Sequence, residues 1–199
     1  EYYRIKTDTP LAQLTVLEQT GLGQKDNGID EEKLKTKVSF SLLAPDGSLL
    51  PGKETEVTGS KLYVQAHVIK FNDELIQSGE VPGHPTRFVR LHGSNDIPSQ
   101  GLKLETRDHP AGVMSAEEEN FLRFYTGTPA GTKPSWEGFW HFTEVSPLLQ
   151  KYKENRQAFW QGFFRFADES LFWDLANDTA LMSKLDVRAA HGASPVVDL

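Results

Sequence analysis

A chain of 199 residues, 38% hydrophobic and 11% aromatic, can build a real core without metal or disulfide staples, because folding at this size removes roughly 70% of the unfolded surface from water. Its formal charge of −7 repels polyanions and leaves no basic patch for nucleic acid, since the densest basic run, residues 33–37, is offset by Asp30, Glu31 and Glu32. With no cysteine, disulfides, thiol nucleophiles, thiolate zinc sites and iron–sulfur clusters are excluded together, while the compartment stays open, because an exported protein can also dispense with cysteine.

No apolar run reaches the roughly 18 residues of a spanning helix. The chain opens on Glu1 rather than Met, as a product trimmed behind a signal peptide or anchor would. Tyr2, Tyr3 and Arg4 would suit a headgroup zone just after such an anchor.

The first half reads as strands. A strand is expected over residues 11–17, followed by one in which Val38, Phe40 and Leu42 alternate with Ser39 and Ser41, the period of two that buries one face. Ala44, Pro45, Asp46 and Gly47 supply turn chemistry and predict a hairpin. Gly59 and Ser60 precede the strongest strand, with Leu62, Val64, Ala66 and Val68 on one face and Tyr63, Gln65, His67 and Ile69 on the other. Val38, Phe40, Leu42, Leu62, Val64, Ala66 and Val68 are expected to meet in one core as neighbouring strands. Residues 86–91 repeat the alternation, with Arg87, Val89 and Leu91 opposite Phe88, Arg90 and His92.

The second half reads as helices joined by Gly/Pro-rich loops. Ser115 followed by Glu118 is a capping box that opens a short helix with Phe121, Leu122, Phe124 and Tyr125 on its apolar face, and residues 127–134 break it. A longer helix should start at Ser146 and Pro147. It carries a stripe of Leu149, Tyr152, Arg156, Phe159, Phe163, Phe166, Ser170 and Trp173, with a break near Asp168, a natural N-cap. Gly162 weakens that helix by about 1 kcal/mol relative to Ala. Pro195, Val196 and Val197 could return as an edge strand. Strands first and helices later give an α+β fold: an antiparallel sheet from the N-terminal half with aromatic-rich helices of the C-terminal half packed on it, residues 1–199 forming a single domain.

No catalytic constellation stands out. Gly127, Gly131 and Lys133 miss the spacing of a phosphate loop, and Pro134 follows the lysine. His84, His92 and His109, with Asp96 and Asp108, lack the spacing of helical or strand metal ligands. Asp108 and His109 with Ser94, Ser99 or Ser115 would make a hydrolase triad only by coincidence of composition, there being no nucleophile elbow. Glu117, Glu118, Glu119, Asp168 and Glu169 are explained as first-turn acids favoured by the helix dipole. No catalytic residue, metal or cofactor is assigned.

The compositional anomaly is aromatic. Most of Trp136, Phe139, Trp140, Phe142, Phe159, Trp160, Phe163, Phe164, Phe166, Phe172 and Trp173 must be core. With Phe159, Phe163 and Phe166 inward, Trp160 and Phe164 flank that face and, with Trp140, are the candidate lining of a groove for a ligand or partner.

Three stretches resemble a family of uncharacterised bacterial proteins: residues 40–47 (FSLLAPDG), 59–71 (GSKLYVQAHVIKF) and 87–93 (RFVRLHG). Those proteins carry one N-terminal membrane anchor and a small extracytoplasmic domain. The resemblance covers a quarter to a third of the chain and implies an envelope location on the periplasmic face, with no functional residues to carry over. The sequence thus points to a non-enzymatic extracytoplasmic module that binds a protein, peptide or lipid partner through a sheet edge or aromatic groove. The alternative is an unrecognised hydrolase assembled from histidines and carboxylates on separate loops.

Overall fold

Antiparallel pairing of alternating strands builds the N-terminal half. The computed structural model describes residues 10–21, 24–25, 28–29, 33–105, 112–140 and 147–199. Strand β1 (Ala12–Thr20) is followed by the small ribbon of β2 (Gln24–Lys25) and β3 (Gly28–Ile29), then by β4 (Lys35–Leu42) and β5 (Lys53–Thr58). β1, β4 and β5 form an antiparallel sheet in that order. A second sheet has the order β10-β6-β7-β8, with β9 also on β6, using β6 (Lys61–Phe71), β7 (Thr86–Gly93), β8 (Leu102–Lys103), β9 (Val187–Ala193) and β10 (Val196–Asp198). The helices are α1 (Asp73–Gln77), α2 (Ala116–Thr126), α3 (Trp136–Trp140), α4 (Pro147–Glu154), α5 (Arg156–Phe166), α6 (Glu169–Asn177) and α7 (Thr179–Lys184). The chain is therefore α+β, with antiparallel sheets from the N-terminal half and the aromatic cluster in the helices of the C-terminal half.

It divides into two compact units, one of residues 1–67, 88–106 and 192–199, the other of residues 68–87 and 107–191. In the first, the turn after β4 forms as its chemistry predicts: Gly47 takes φ +83°, and the Ser48 N–H and hydroxyl donate to Asp46 Oδ1 at 2.9 and 2.6 Å. Along β4, Val38 and Phe40 are buried, while Lys35 and Lys37 face solvent and pair with Glu56 and Glu54 of β5 at 3.1 and 2.8 Å. Such exposed pairs add little stability. The core joins Val38 and Phe40 to Val57, Leu62, Val64, Leu91 and Leu104, with Phe88 edge-on to Phe40 at 5.2 Å.

Three strand expectations need correction. β4 and β6 belong to different sheets, so they share a core without being neighbours, and Leu42 is only half-buried at its margin. Along β6 the buried parity holds to Ala66 and then changes, because Ala66 and His67 are both buried and the last residues give Ile69 and Phe71 to the core of the second unit. Val68, expected inside, is half-buried. In β7, residues 86–90 are half-buried on both faces, so its expected alternation is lost. The tail does return as an edge strand, Val196 and Val197 pairing with Tyr63 and Leu62.

In the second unit, side-chain caps divide the helical stretch. Ser115 accepts the Glu118 N–H at 3.1 Å at the start of α2, and Gly127 closes that helix at φ +67°. The Glu118 carboxylate is fully buried and accepts from Trp136 Nε1 at 2.7 Å. The long helix expected from Ser146, a residue outside those described, is instead three helices. Asp168 caps α6 as predicted, accepting the Leu171 N–H at 3.0 Å, and Asn155 caps α5 by accepting the Ala158 N–H at 3.0 Å. The break at Asp168 resets the helical phase. Ser170 and Trp173 of the expected stripe are therefore exposed, and α6 buries Leu171, Phe172 and Leu175 instead.

Phe159 sits at the centre of this core. Its ring lies 5.0 Å from those of Tyr125, Tyr152 and Trp160, 5.9 Å from Phe139, 6.1 Å from Phe121 and 6.4 Å from Phe163. Gly162 has a packing reason: a Cβ there would lie 2.4 Å from the Phe121 ring, so only glycine admits that contact. Gly162→Ala should consequently destabilise the protein by about 1–3 kcal/mol, overpacking outweighing the gain of about 1 kcal/mol in helix propensity. A rise in the urea midpoint would refute this. Phe163→Ala and Trp160→Ala should each cost about 3–5 kcal/mol, as for buried rings leaving cavities. Equilibrium denaturation of both variants checks it, and a near-neutral Trp160→Ala would contradict the packing.

Candidate functional site

The three aromatic residues expected to line a groove surround one buried ring. Trp160, Trp140 and Phe164 lie 5.6, 6.1 and 6.0 Å from Phe163. Trp160 is 1% exposed and packs edge-on against Phe71 at 5.0 Å, so its expected flanking position is corrected: its indole is interior. Apolar side chains meet α5 beyond the Phe159 stripe as well, so the flank of that stripe is also a packing surface. Trp140 and Phe164 are half-buried against the same cluster. The Trp140 Nε1 is buried and has no hydrogen-bond partner among the described residues.

The titratable candidates disperse. His84 belongs to the second unit and His92 to the first, where it stacks on Tyr63 at 5.2 Å; Asp108 and His109 lie outside the described residues. Among the described residues no group of three His, Cys, Asp or Glu could hold a metal ion. Glu117 pairs with Arg165 and Glu119 with Arg123, each at 2.5 Å, while Glu118 holds Trp136, so the three adjacent acids serve three separate contacts. Asp96 borders a cavity of about 200 Å³ in the first unit, but its carboxylate accepts the Gly93 N–H at 2.7 Å and the Thr58 N–H at 3.2 Å and so pins a loop.

Among the described residues, two surfaces left over by packing offer groups for a ligand or partner. In the second unit a cleft of about 440 Å³ is bordered by Thr179, Met182, Ser183 and Asp186, whose spacings of three and four place them along one face of α7 and its C-terminal turn. Leu181 and Leu185 anchor the other face in the core. Asn72, Val187 and Arg188 complete the lining.

The first unit offers a strand edge. β1 lies at the outside of its sheet and carries one charge, Glu18, in nine residues, whereas β5 at the other edge carries Lys53, Glu54 and Glu56 in six. Charged edges resist unwanted pairing. Leu11, Val16 and Leu17 are 47%, 48% and 46% exposed. Val16 pairs across from Val38, yet the core stops short of it. The Leu43 N–H bonds the Leu11 carbonyl, so Leu11 and Leu43 form a hydrogen-bonded pair. By antiparallel alternation the N–H and C=O groups of Ala12, Leu14 and Val16 then point away from β4. A bulge between Val16 and Glu18 ends that run. Neither surface carries a sequence motif; the low charge of β1 was the one readable signal.

No helix among the described residues is long and apolar enough to cross a membrane. No family model, no curated protein and no solved structure matches the chain.

His84 ties one loop to β6. The Phe71 N–H donates to its Nδ1 at 3.3 Å, a bond that needs the neutral ring. Burial pushes the imidazole below its ordinary value, Lys70 and Arg188 push the same way, and Asp73 opposes them. A depressed folded-state value means that the unfolded chain binds the proton first, so this contribution is present above the ordinary value and lost as pH falls through the folded one. Between about pH 7 and about pH 5, bracketing the usual value near 6.5, the native protein should lose more stability than His84→Asn, which keeps an acceptor but does not titrate. Superimposable urea midpoints across that range would show that the imidazole is not linked to folding.

Proposed function

We propose that this chain is a non-enzymatic recognition module of the bacterial cell envelope, held at the extracytoplasmic face by an N-terminal anchor, which takes a protein partner as an added strand on β1. The observation that carries the proposal is the β1 edge: three consecutive outward backbone pairs, at Ala12, Leu14 and Val16, beside exposed Leu11, Val16 and Leu17. Main-chain hydrogen bonds along such an edge supply affinity, and side-chain contacts at alternate positions supply specificity. An incoming strand would place apolar residues beside Leu14 and Val16, extending the inner face where the core ends. The envelope location rests on the resemblance of residues 40–47, 59–71 and 87–93 and is in keeping with a chain that has no cysteine.

Amide exchange and a displayed library of extended peptides test this together. In the free protein the amides of Leu14 and Val16 should exchange faster than those of Gln13 and Thr15, and a bound peptide should protect them. Val16→Lys, at an exposed position, should weaken peptide binding about tenfold, equivalent to about 1.4 kcal/mol, without moving the melting temperature. A library that yields no micromolar binder, or a binder that leaves the β1 amides unprotected, overturns the proposal.

A further inference from the structure

We propose that the cleft beside α7 binds a small zwitterion, a free amino acid with an aliphatic side chain. The lining offers both charges that such a ligand needs. Arg188 is exposed at the start of β9, and no carboxylate among the described residues pairs with it. Its planar fork of donors matches a carboxylate in bidentate fashion. Two residues earlier, Asp186 presents a carboxylate of which Oδ2 reaches Arg156 at 3.4 Å, leaving Oδ1 to accept a further donor. Val187 between them is buried, so the residues on either side of it flank the same cleft.

Asp186 is also the one non-glycine residue with positive φ among those described, at +54°. An L side chain seldom takes that conformation, and such residues concentrate where an orientation matters. Here the last turn of α7 holds it, through the Asp186 N–H to the Ser183 carbonyl at 3.2 Å, while Arg156 is held in turn by Glu80 at 2.9 Å.

The remaining lining completes the match. The Asn72 side chain makes no cap bond to α1 although it stands at the N-cap position, so its amide is left to the cleft, as are the Thr179 and Ser183 hydroxyls. Met182, an adaptable apolar side chain, forms the wall for an aliphatic group. Asp186 disfavours a simple anion and Arg188 a simple cation. A wholly apolar ligand would cover Arg188 without a partner and leave Asp186 Oδ1 unsatisfied. A zwitterion satisfies both.

The test is an NMR titration of the whole chain with leucine, alongside N-acetyl-leucine, which lacks the ammonium, and leucinamide, which lacks the carboxylate. Leucine at millimolar concentration should shift the Ser183 and Arg188 amides, and each analogue should bind about tenfold more weakly. Arg188→Gln should lose leucine binding at unchanged melting temperature. Asp186→Gly, which removes the carboxylate while easing the left-handed backbone, should lose it too and keep the fold. Absence of shifts, or equal binding of leucine and either analogue, overturns the inference. Strand addition on β1 stands or falls separately, since that edge belongs to the other unit.

Discussion

Closure of aromatic side chains around Phe159 is the constraint on which the helical unit depends. Its helices span 11, 5, 8, 11, 9 and 6 residues from α2 to α7, below the length at which isolated helices persist in water. They exist because large rings bury against one another. Side-chain caps at Ser115, Asn155, Asp168 and Asp178 then satisfy N–H groups that each new helix start exposes. Two polar groups carried into this core bond one another and the main chain. Tyr152 donates to the Leu185 carbonyl at 2.6 Å, and Trp160 Nε1 donates to the Tyr152 oxygen at 3.5 Å. Burial raises the Tyr152 phenol to about 12, so it remains a protonated donor throughout the physiological range.

Much of this was legible because it is local. The turn at Asp46 and Gly47, the caps at Ser115 and Asp168 and the alternation of β4 are each specified by a few neighbouring residues. Asn155 was hidden by a coincidence of phase: Tyr152 and Phe159, on opposite sides of the break, keep a spacing that one continuous helix would also give. Trp160 was misplaced for a different reason. Angular position on a helix says which residues flank a stripe, but not how many surfaces the helix meets, and α5 is enclosed widely enough that the flank is core as well. In β6 the alternation predicted Val68 inside, but the buried parity belongs to whichever core a stretch of strand supplies, and β6 supplies two.

Glu118 shows the same limit at a polar residue. Its position three residues after Ser115 announces a helix start, and the helix does start there. The carboxylate goes into the interior, where it accepts from the indole N–H of Trp136, a residue beyond the loop that closes α2. A local rule thus located the element, while a tertiary contact decided the side chain.

Because packing absorbs Trp160 and half-buries Trp140 and Phe164, the proposed recognition uses what packing leaves over, and those remainders differ in kind from an aromatic groove. On β1 the leftover is main chain, which every residue type possesses, so no composition or motif could have announced it. What betrays such a surface is a contrast within one sheet. β5 carries three charged residues along its edge, and β1, equally at an edge and longer, carries one. A strand left unguarded along Ala12, Leu14 and Val16 invites aggregation unless something pairs with it. The bulge before Glu18 confines the open run to one short stretch, which is the length of edge that the proposed strand addition uses.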